Sequence, residues 1–204
     1  MSTTVIYKNA FFYEVAMRML YGRYYSARYS AIADLIPEGS TVLDLCCGPA
    51  VLFDRYLRRK RIEYTGLDMS ESFIKRLRAR GGKGEVWDLL KETALPQADC
   101  VVMQASLMHF LPSPLPVIER MLHAARQRVI IAEPIRNLAE STNPVVAMIS
   151  RRLTDPGNGK SAARFNQQTL DKLFLPFADL IEEAFLIPGG REKIYVLNST
   201  PSTR

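Results

Sequence analysis

Three aspartates close apolar runs in this chain: Asp44 in "TVLDLCCGPAV", Asp68 in "EYTGLDMS" and Asp88 in "GEVWDLL". Carboxylates at such places accept hydrogen bonds from a ligand or ligate a metal, and the residues around Asp44 discriminate between these uses. The chain has three cysteines, two of them the neighbours Cys46 and Cys47, and two histidines. It therefore offers no paired C-x-x-C zinc spacing, and no metal is expected. Adjacent cysteines point to opposite sides of an extended backbone, which suits small buried side chains better than a redox pair. A dinucleotide turn would need G-x-G-x-x-G; counted from Cys46, only Gly48 fits. Pro49 also removes a backbone N–H that would otherwise cradle phosphate. What remains is a carboxylate two residues before a tight turn, suited to a ligand with an ammonium group and no phosphate.

His109, in "VVMQASLMHFLP", is the best-placed candidate base, and a role in shaping a pocket without moving a proton stands beside that one. His123, inside "ERMLHAAR", reads as structural. Glu133 either orients a substrate or caps a neighbouring segment; both uses stay open.

The elements that must position these residues follow from periodicity. Residues 9–36 read as two helices interrupted near Gly22 and rich in aromatics: Phe11, Phe12, Tyr13, Tyr21, Tyr24, Tyr25 and Tyr29. "PEGS" breaks that pattern before "TVLDLC", a continuous apolar run that fits a strand buried on both faces. A helix over about 50–60, a strand "EYTGLD" and a helix "ESFIKRLRAR" follow, the last capped by Ser70 and stopped at Gly81-Gly82. "GEVWDL" predicts a third strand ending near Asp88, and "ADCVVMQA" a fourth. Then come a helix "VIERMLHAAR", a fifth strand "RVIIAEP", a mixed segment over 137–168 and a helix "QTLDKLFLPF". The ending "LIEEAFLIPGGREKIYVLN" predicts an antiparallel hairpin through Pro-Gly-Gly. The alternation implies an α/β fold, three-layered and doubly wound, with seven strands mostly parallel and an antiparallel last strand. Residues 1–204 are expected to form one domain, 1–38 as an N-terminal helical lid and 39–204 as the core.

Composition narrows the function classes. The 204 residues are 48% hydrophobic and 24% charged, as in ordinary globular chains. No run approaches the roughly 20 apolar residues of a membrane-spanning helix, and the N-terminus lacks a secretory pattern, so a cytoplasmic protein is expected. The net charge is +6, but ten of the 27 Lys and Arg residues lie in "RYLRRKR" and "KRLRARGGK". Each run closes a predicted helix, where cations favour the negative end of the helix dipole, and nucleic acid is a weak expectation. No carboxylate cluster suggests a catalytic magnesium ion.

The stretch Asp44-Leu45-Cys46-Cys47-Gly48-Pro49-Ala50 resembles motif I of class I S-adenosylmethionine-dependent methyltransferases of the small-molecule type. That motif is an acidic residue followed by G-x-G-x-G; Cys46 and Ala50 stand here for the outer glycines, both small enough to let the backbone pass close to a cofactor. The resemblance continues in order over Val42 to Asn198. It implies that Asp68 takes the ribose hydroxyls and Met69 packs on the adenine ring. Asp88 would accept the adenine amino hydrogen with Leu89 as an apolar neighbour. Gln104 and Ala105 would line the methionine part, and Tyr21, Arg23 or Arg28 would reach the carboxylate from the lid. The implied cofactor is S-adenosylmethionine, with S-adenosylhomocysteine as product, and the implied reaction is methyl transfer to an oxygen or nitrogen of a small molecule or lipid precursor.

Other readings remain. A non-catalytic partner protein would retain S-adenosylmethionine binding without acceptor chemistry. An RNA methyltransferase would lose nucleic-acid affinity steeply with salt. The basic aromatic lid would alternatively lie against an anionic membrane surface.

Overall fold

The computed structural model describes residues 10–91, 94–135 and 164–199, with the side chains of 10–13 and 16 left aside. The rings of Phe11, Phe12 and Tyr13, and most of the mixed segment 137–168, lie outside the described residues.

Seven strands form one sheet: β1 (Thr41–Leu45), β2 (Glu63–Asp68), β3 (Lys83–Val86), β4 (Ala98–Gln104), β5 (Ala125–Pro134), β6 (Ile181–Leu186) and β7 (Glu192–Asn198). Their order is β3-β2-β1-β4-β5-β7-β6, parallel from β3 through β5, with β7 antiparallel to both of its neighbours. This is the α/β sheet with a reversed last strand that the alternating pattern implied. Strand order reverses between β1 and β4, and in open sheets of this kind the crevice beyond the strands' carboxyl ends at that point is where ligands sit.

The period of two along each central strand divides the core. Val42, Tyr64, Cys100, Val102, Ile130 and Val196 face one layer, with α1 (Ala10–Tyr21) and α2 (Ala27–Leu35) over them. Leu43, Leu45, Val101, Met103, Val129 and Ile131 face the other, under α4 (Leu115–Ala124) and α5 (Gln167–Phe174). The helix α3 (Glu71–Ala79) runs between β2 and β3. The interruption at Gly22 is real: its φ is +54° and a 3-10 turn, Gly22–Tyr24, separates α1 from α2.

Several boundaries differ from the sequence pattern. The helix expected over 50–60 is a short turn whose Phe53–Leu57 part is π-helical, closed by Arg58 N–H on Phe53 O at 2.9 Å. Ser70 is the N-cap of α3, but its side chain makes no capping bond and lies 2.9 Å from Ser72 Oγ. β3 stops at Val86, two residues before Asp88. Trp87 N–H on Asp68 O at 3.0 Å is the last rung of the β2–β3 ladder, and beyond it the Asp88 side chain accepts from Leu90 N–H. α4 ends at Ala124, because Ala125 already pairs with Ala98 of β4. The α-helical part of "QTLDKLFLPF" ends at Phe174 and continues as a 3-10 turn, Leu175–Leu180.

α3 approaches the sheet closely because β2 and β3 carry glycines beneath it. A Cβ on Gly66 would lie 2.8 Å from both Cys47 Sγ and Leu77 Cδ2, and one on Gly84 2.8 Å from Leu77 Cδ2. Overpacking of this kind costs about 1–3 kcal/mol, so Gly66→Ala is expected to lower the urea midpoint accordingly. An unchanged midpoint would mean the Cys47 turn yields freely.

Candidate functional site

Asp44, the penultimate residue of β1, is a buried carboxylate, 4% exposed, between Leu43 and Leu45. Its Oδ2 accepts from Tyr64 Oη–H at 2.7 Å. Tyr64 lies on the neighbouring strand, and sequence reasoning missed it; a tyrosine near the start of the adjacent strand was the available signal. Burial pushes the Asp44 carboxyl up to about 7; the Tyr64 bond opposes that shift and the nearby Asp68 charge adds to it.

The backbone then turns sharply. Cys46, Gly48 and Ala50 have φ of +55°, +53° and +55°. These are the three glycine positions of the resembled motif, and all three keep the left-handed conformation although two carry side chains, which cost about 1–2 kcal/mol each there. Burial holds the Cys46 and Cys47 thiols above their ordinary range, as inert small side chains rather than a reactive pair.

Asp68, at the end of β2, closes the turn from the other side. Its Oδ2 accepts from Gly48 N–H and its Oδ1 from Ser70 N–H, both at 2.8 Å. Burial raises this carboxyl, and the two backbone bonds oppose the rise. The sheet thus brings Asp44, Cys46, Gly48 and Asp68 together at the ends of adjacent strands. A Cβ on Gly48 would meet nothing within 4 Å, and the Met69 side chain beside it is 71% exposed. A cavity of about 350 Å³ lined by Glu14, Val15, Arg18 and Arg55 shares no residue with this cluster.

The end of β4 completes the rim. Gln104 donates from Nε2 to Arg28 O at 3.1 Å, and Ala105 has φ +52° with its N–H on Ala132 O at 2.7 Å. Glu133, 1% exposed, accepts from Leu107 N–H at 3.0 Å and Met108 N–H at 3.3 Å. Burial pushes it up to about 8, against the pull of those two bonds and with Glu192 adding to the rise. His109 sits in the 3-10 turn Leu107–Phe110, not on β4, and is exposed. Protein crowding at its base, then Arg164, hold it below the usual histidine range.

The remaining expected site residues each have contacts of their own within the chain. Asp88 belongs to a turn beyond β3, bonded to Leu90 N–H and paired with Lys91 at 3.1 Å, and those contacts lower its carboxyl. Leu89 is buried against the opposite core layer, its carbonyl accepting from Arg120. Tyr21 is 5% exposed, its ring 4.1 Å from the Arg28 guanidinium. Arg23 folds over Tyr24 and donates to its Oη at 2.6 Å. Arg28 pairs with Glu192 at 2.7 Å, both buried. Among the described residues no group of three or more His, Cys, Asp or Glu is arranged to hold a metal, and no helix is long and apolar enough to cross a membrane.

The raised carboxyls carry a pH dependence with a definite sign. Asp44 and Glu133 keep their protons in the folded chain to about pH 7 and 8, whereas an unfolded chain releases them near pH 4. The folded state binds more protons across that window, so stability falls as pH rises from about 4.5 to 8 and then levels. Thermal melts between about pH 5 and 9 are expected to show that fall, with Glu133→Gln flattening it; a melting temperature that climbs over the same range would contradict the assignment.

No curated protein matches the chain by sequence. Solved structures match its fold. Magnesium protoporphyrin IX methyltransferase from Synechocystis PCC 6803, solved with bound S-adenosylhomocysteine, superposes with a TM-score of 0.65 at 15% identity, covering 97% of each chain. A SAM-dependent methyltransferase from Aquifex aeolicus gives 0.61 at 13% identity over 92% of this chain and 98% of that one. A TehB-like SAM-dependent methyltransferase from Corynebacterium glutamicum gives 0.54 at 16% identity over 84% and 86%. The fold is therefore that of the Rossmann-like methyltransferases. By its match over residues 26–138, more than half its length, the chain belongs to the family described as methionine biosynthesis protein MetW.

Proposed function

We propose that the protein is an S-adenosylmethionine-dependent methyltransferase acting on an oxygen or nitrogen of a small molecule or lipid precursor. The observation that carries this reading is the turn 46–50. Its three left-handed residues lie beside one buried and one half-buried carboxylate at the strand-order reversal, with open space over Gly48. The fit to the cofactor is good on this chain's own features. Asp68 has a lone pair left on each oxygen for ribose hydroxyls, exposed Met69 offers an apolar surface for an adenine ring, and Asp44 is a carboxylate within reach of an ammonium group. The solved relatives that hold S-adenosylmethionine or its product support the same choice.

When bound, S-adenosylmethionine supplies a methyl group already activated by its sulfonium. The residues of the chain have then only to align an acceptor and exclude water. Gln104 and Ala105 border the methionine end, and His109 stands at the rim, where its lowered pKa leaves it a neutral acceptor for a hydroxyl proton. Residues 1–38 serve as lid over a core of 39–204, and Arg18 and the exposed Met19 on α1 suit contact with an anionic surface carrying such a precursor. A second reading, cofactor binding without transfer, is favoured by one fact: the Asp44 and Glu133 carboxylates are already engaged by donors of this chain.

Acceptor-dependent formation of S-adenosylhomocysteine separates the two. Turnover with a phenol, an amine or a lipid precursor is expected; tight cofactor binding with no turnover across all three classes would favour the binding protein.

A further inference from the structure

Glu133, near the end of β5, sends its carboxylate into the turn that follows β4, much as Asp68 does into the turn that follows β1. Both oxygens accept backbone N–H groups, Oε2 from Leu107 and Oε1 from Met108, and the side chain is 1% exposed. A group so enclosed cannot exchange a proton with a substrate, so of its two sequence readings the orienting contact to substrate falls away. What it holds is specific. The turn is tied to β5 at consecutive residues: Ala105 N–H to Ala132 O at 2.7 Å, then Leu107 and Met108 to Glu133. Between them Ser106 Oγ–H closes on Gln104 O at 3.0 Å, and Ala105 is forced to φ +52°.

We propose that Glu133 is a positioning residue: it clamps the turn 105–108 onto the end of β5, and so sets the backbone of Gln104 and Ala105 along the cofactor cleft and the 3-10 turn that carries His109. The cofactor half of this proposal rests on the methyltransferase reading. The clamp also reaches the lid, because Gln104 Nε2 donates to Arg28 O on α2, and Glu192, opposite Pro134 in the β5–β7 pairing, holds the Arg28 side chain. An apolar residue at 133 would leave one buried and one part-buried N–H group unpaired, which explains a carboxylate directly after the apolar run Val129–Ala132.

The test uses the full chain with Glu133→Gln, which keeps one acceptor oxygen and the packing volume, and Glu133→Ala as the stronger change. Amide hydrogen exchange is followed residue by residue, with S-adenosylmethionine affinity by calorimetry. In Glu133→Gln, exchange at Leu107 and Met108 is expected to speed about tenfold while Val129 to Ile131 stay protected, and affinity to fall several fold. Unchanged exchange at Leu107 and Met108 in a folded variant would overturn the clamp. Faster exchange with unchanged affinity and turnover would overturn its role in the site. If the unsubstituted protein binds no S-adenosylmethionine, the methyltransferase reading fails and takes the cofactor half with it, while the exchange data still decide the clamp.

Discussion

Asp68→Ala is expected to weaken S-adenosylmethionine binding by about 10–100-fold, corresponding to one or two charge-assisted hydrogen bonds of roughly 1.5–3 kcal/mol. Two losses combine in this variant. The proposed ribose acceptor disappears, and so does the tether that holds Gly48 N–H and Ser70 N–H at 2.8 Å, on which the turn 46–50 depends. Asp68→Asn separates the two contributions. Its one carbonyl oxygen keeps a single backbone donor, and its amide would face the other, so it should lie between the unsubstituted protein and Asp68→Ala. Isothermal titration of both variants reads this directly. Affinity retained within twofold by folded Asp68→Ala would remove Asp68 from the site.

Glu192→Gln is expected to cost about 3–5 kcal/mol of stability, the range for stripping one partner from a buried ion pair. Glu192 is wholly buried, and its partner Arg28 is 1% exposed at 2.7 Å, packed between the rings of Tyr21 and Tyr29 at 4.1 and 5.2 Å. The variant replaces the carboxylate 2.7 Å from this buried guanidinium by a neutral amide. For a chain of this size the loss corresponds to a fall in melting temperature of roughly 6–20 °C. The double change Arg28→Met with Glu192→Leu should recover most of it, since an apolar pair of similar volume dispenses with both desolvation penalties. A Glu192→Gln protein that melts within 2 °C or so of the unsubstituted one would show that the pair is relaxed by solvent.

The parts of this molecule that were legible in the sequence are those where local pattern and tertiary role agree. Val42, Leu43 and Leu45 of "TVLDL" are apolar because β1 is covered on both faces, and "EYTGLD" ends at Asp68, just as β2 does. The Pro-Gly-Gly turn marks the β6–β7 hairpin, with Gly189 and Gly190 at φ +93° and +60°. The illegible parts are set by contacts between segments distant in the chain. "WDL" reads as more strand after "GEV", yet Trp87 N–H on Asp68 O is the last rung of the ladder, and Asp88 turns its side chain to Leu90 N–H instead. No glycine or proline separates α4 from β5, and only the pairing of Ala125 with Ala98 fixes that boundary. Met69 could be placed from its position after Asp68, but its exposure could not.

The site divides in the same way. Asp44, Gly48 and Asp68 are adjacent because neighbouring parallel strands end together, which a sequence pattern can express. Arg28, Glu133 and Glu192 converge from three elements far apart in the chain, joined through the β5–β7 register and the turn after β4. The signals they left were charges inside apolar runs. Glu133 in "VIIAEP" was noticed without its partners, and Glu192 was not singled out within the predicted hairpin.

The most direct test of the account is a calorimetric titration of the purified protein with S-adenosylmethionine and S-adenosylhomocysteine, with NAD as control. The account predicts saturable, micromolar-range binding of both members of the pair, competing for one site, and no heat with NAD. Absence of binding by either member, or binding of NAD in their place, would contradict it.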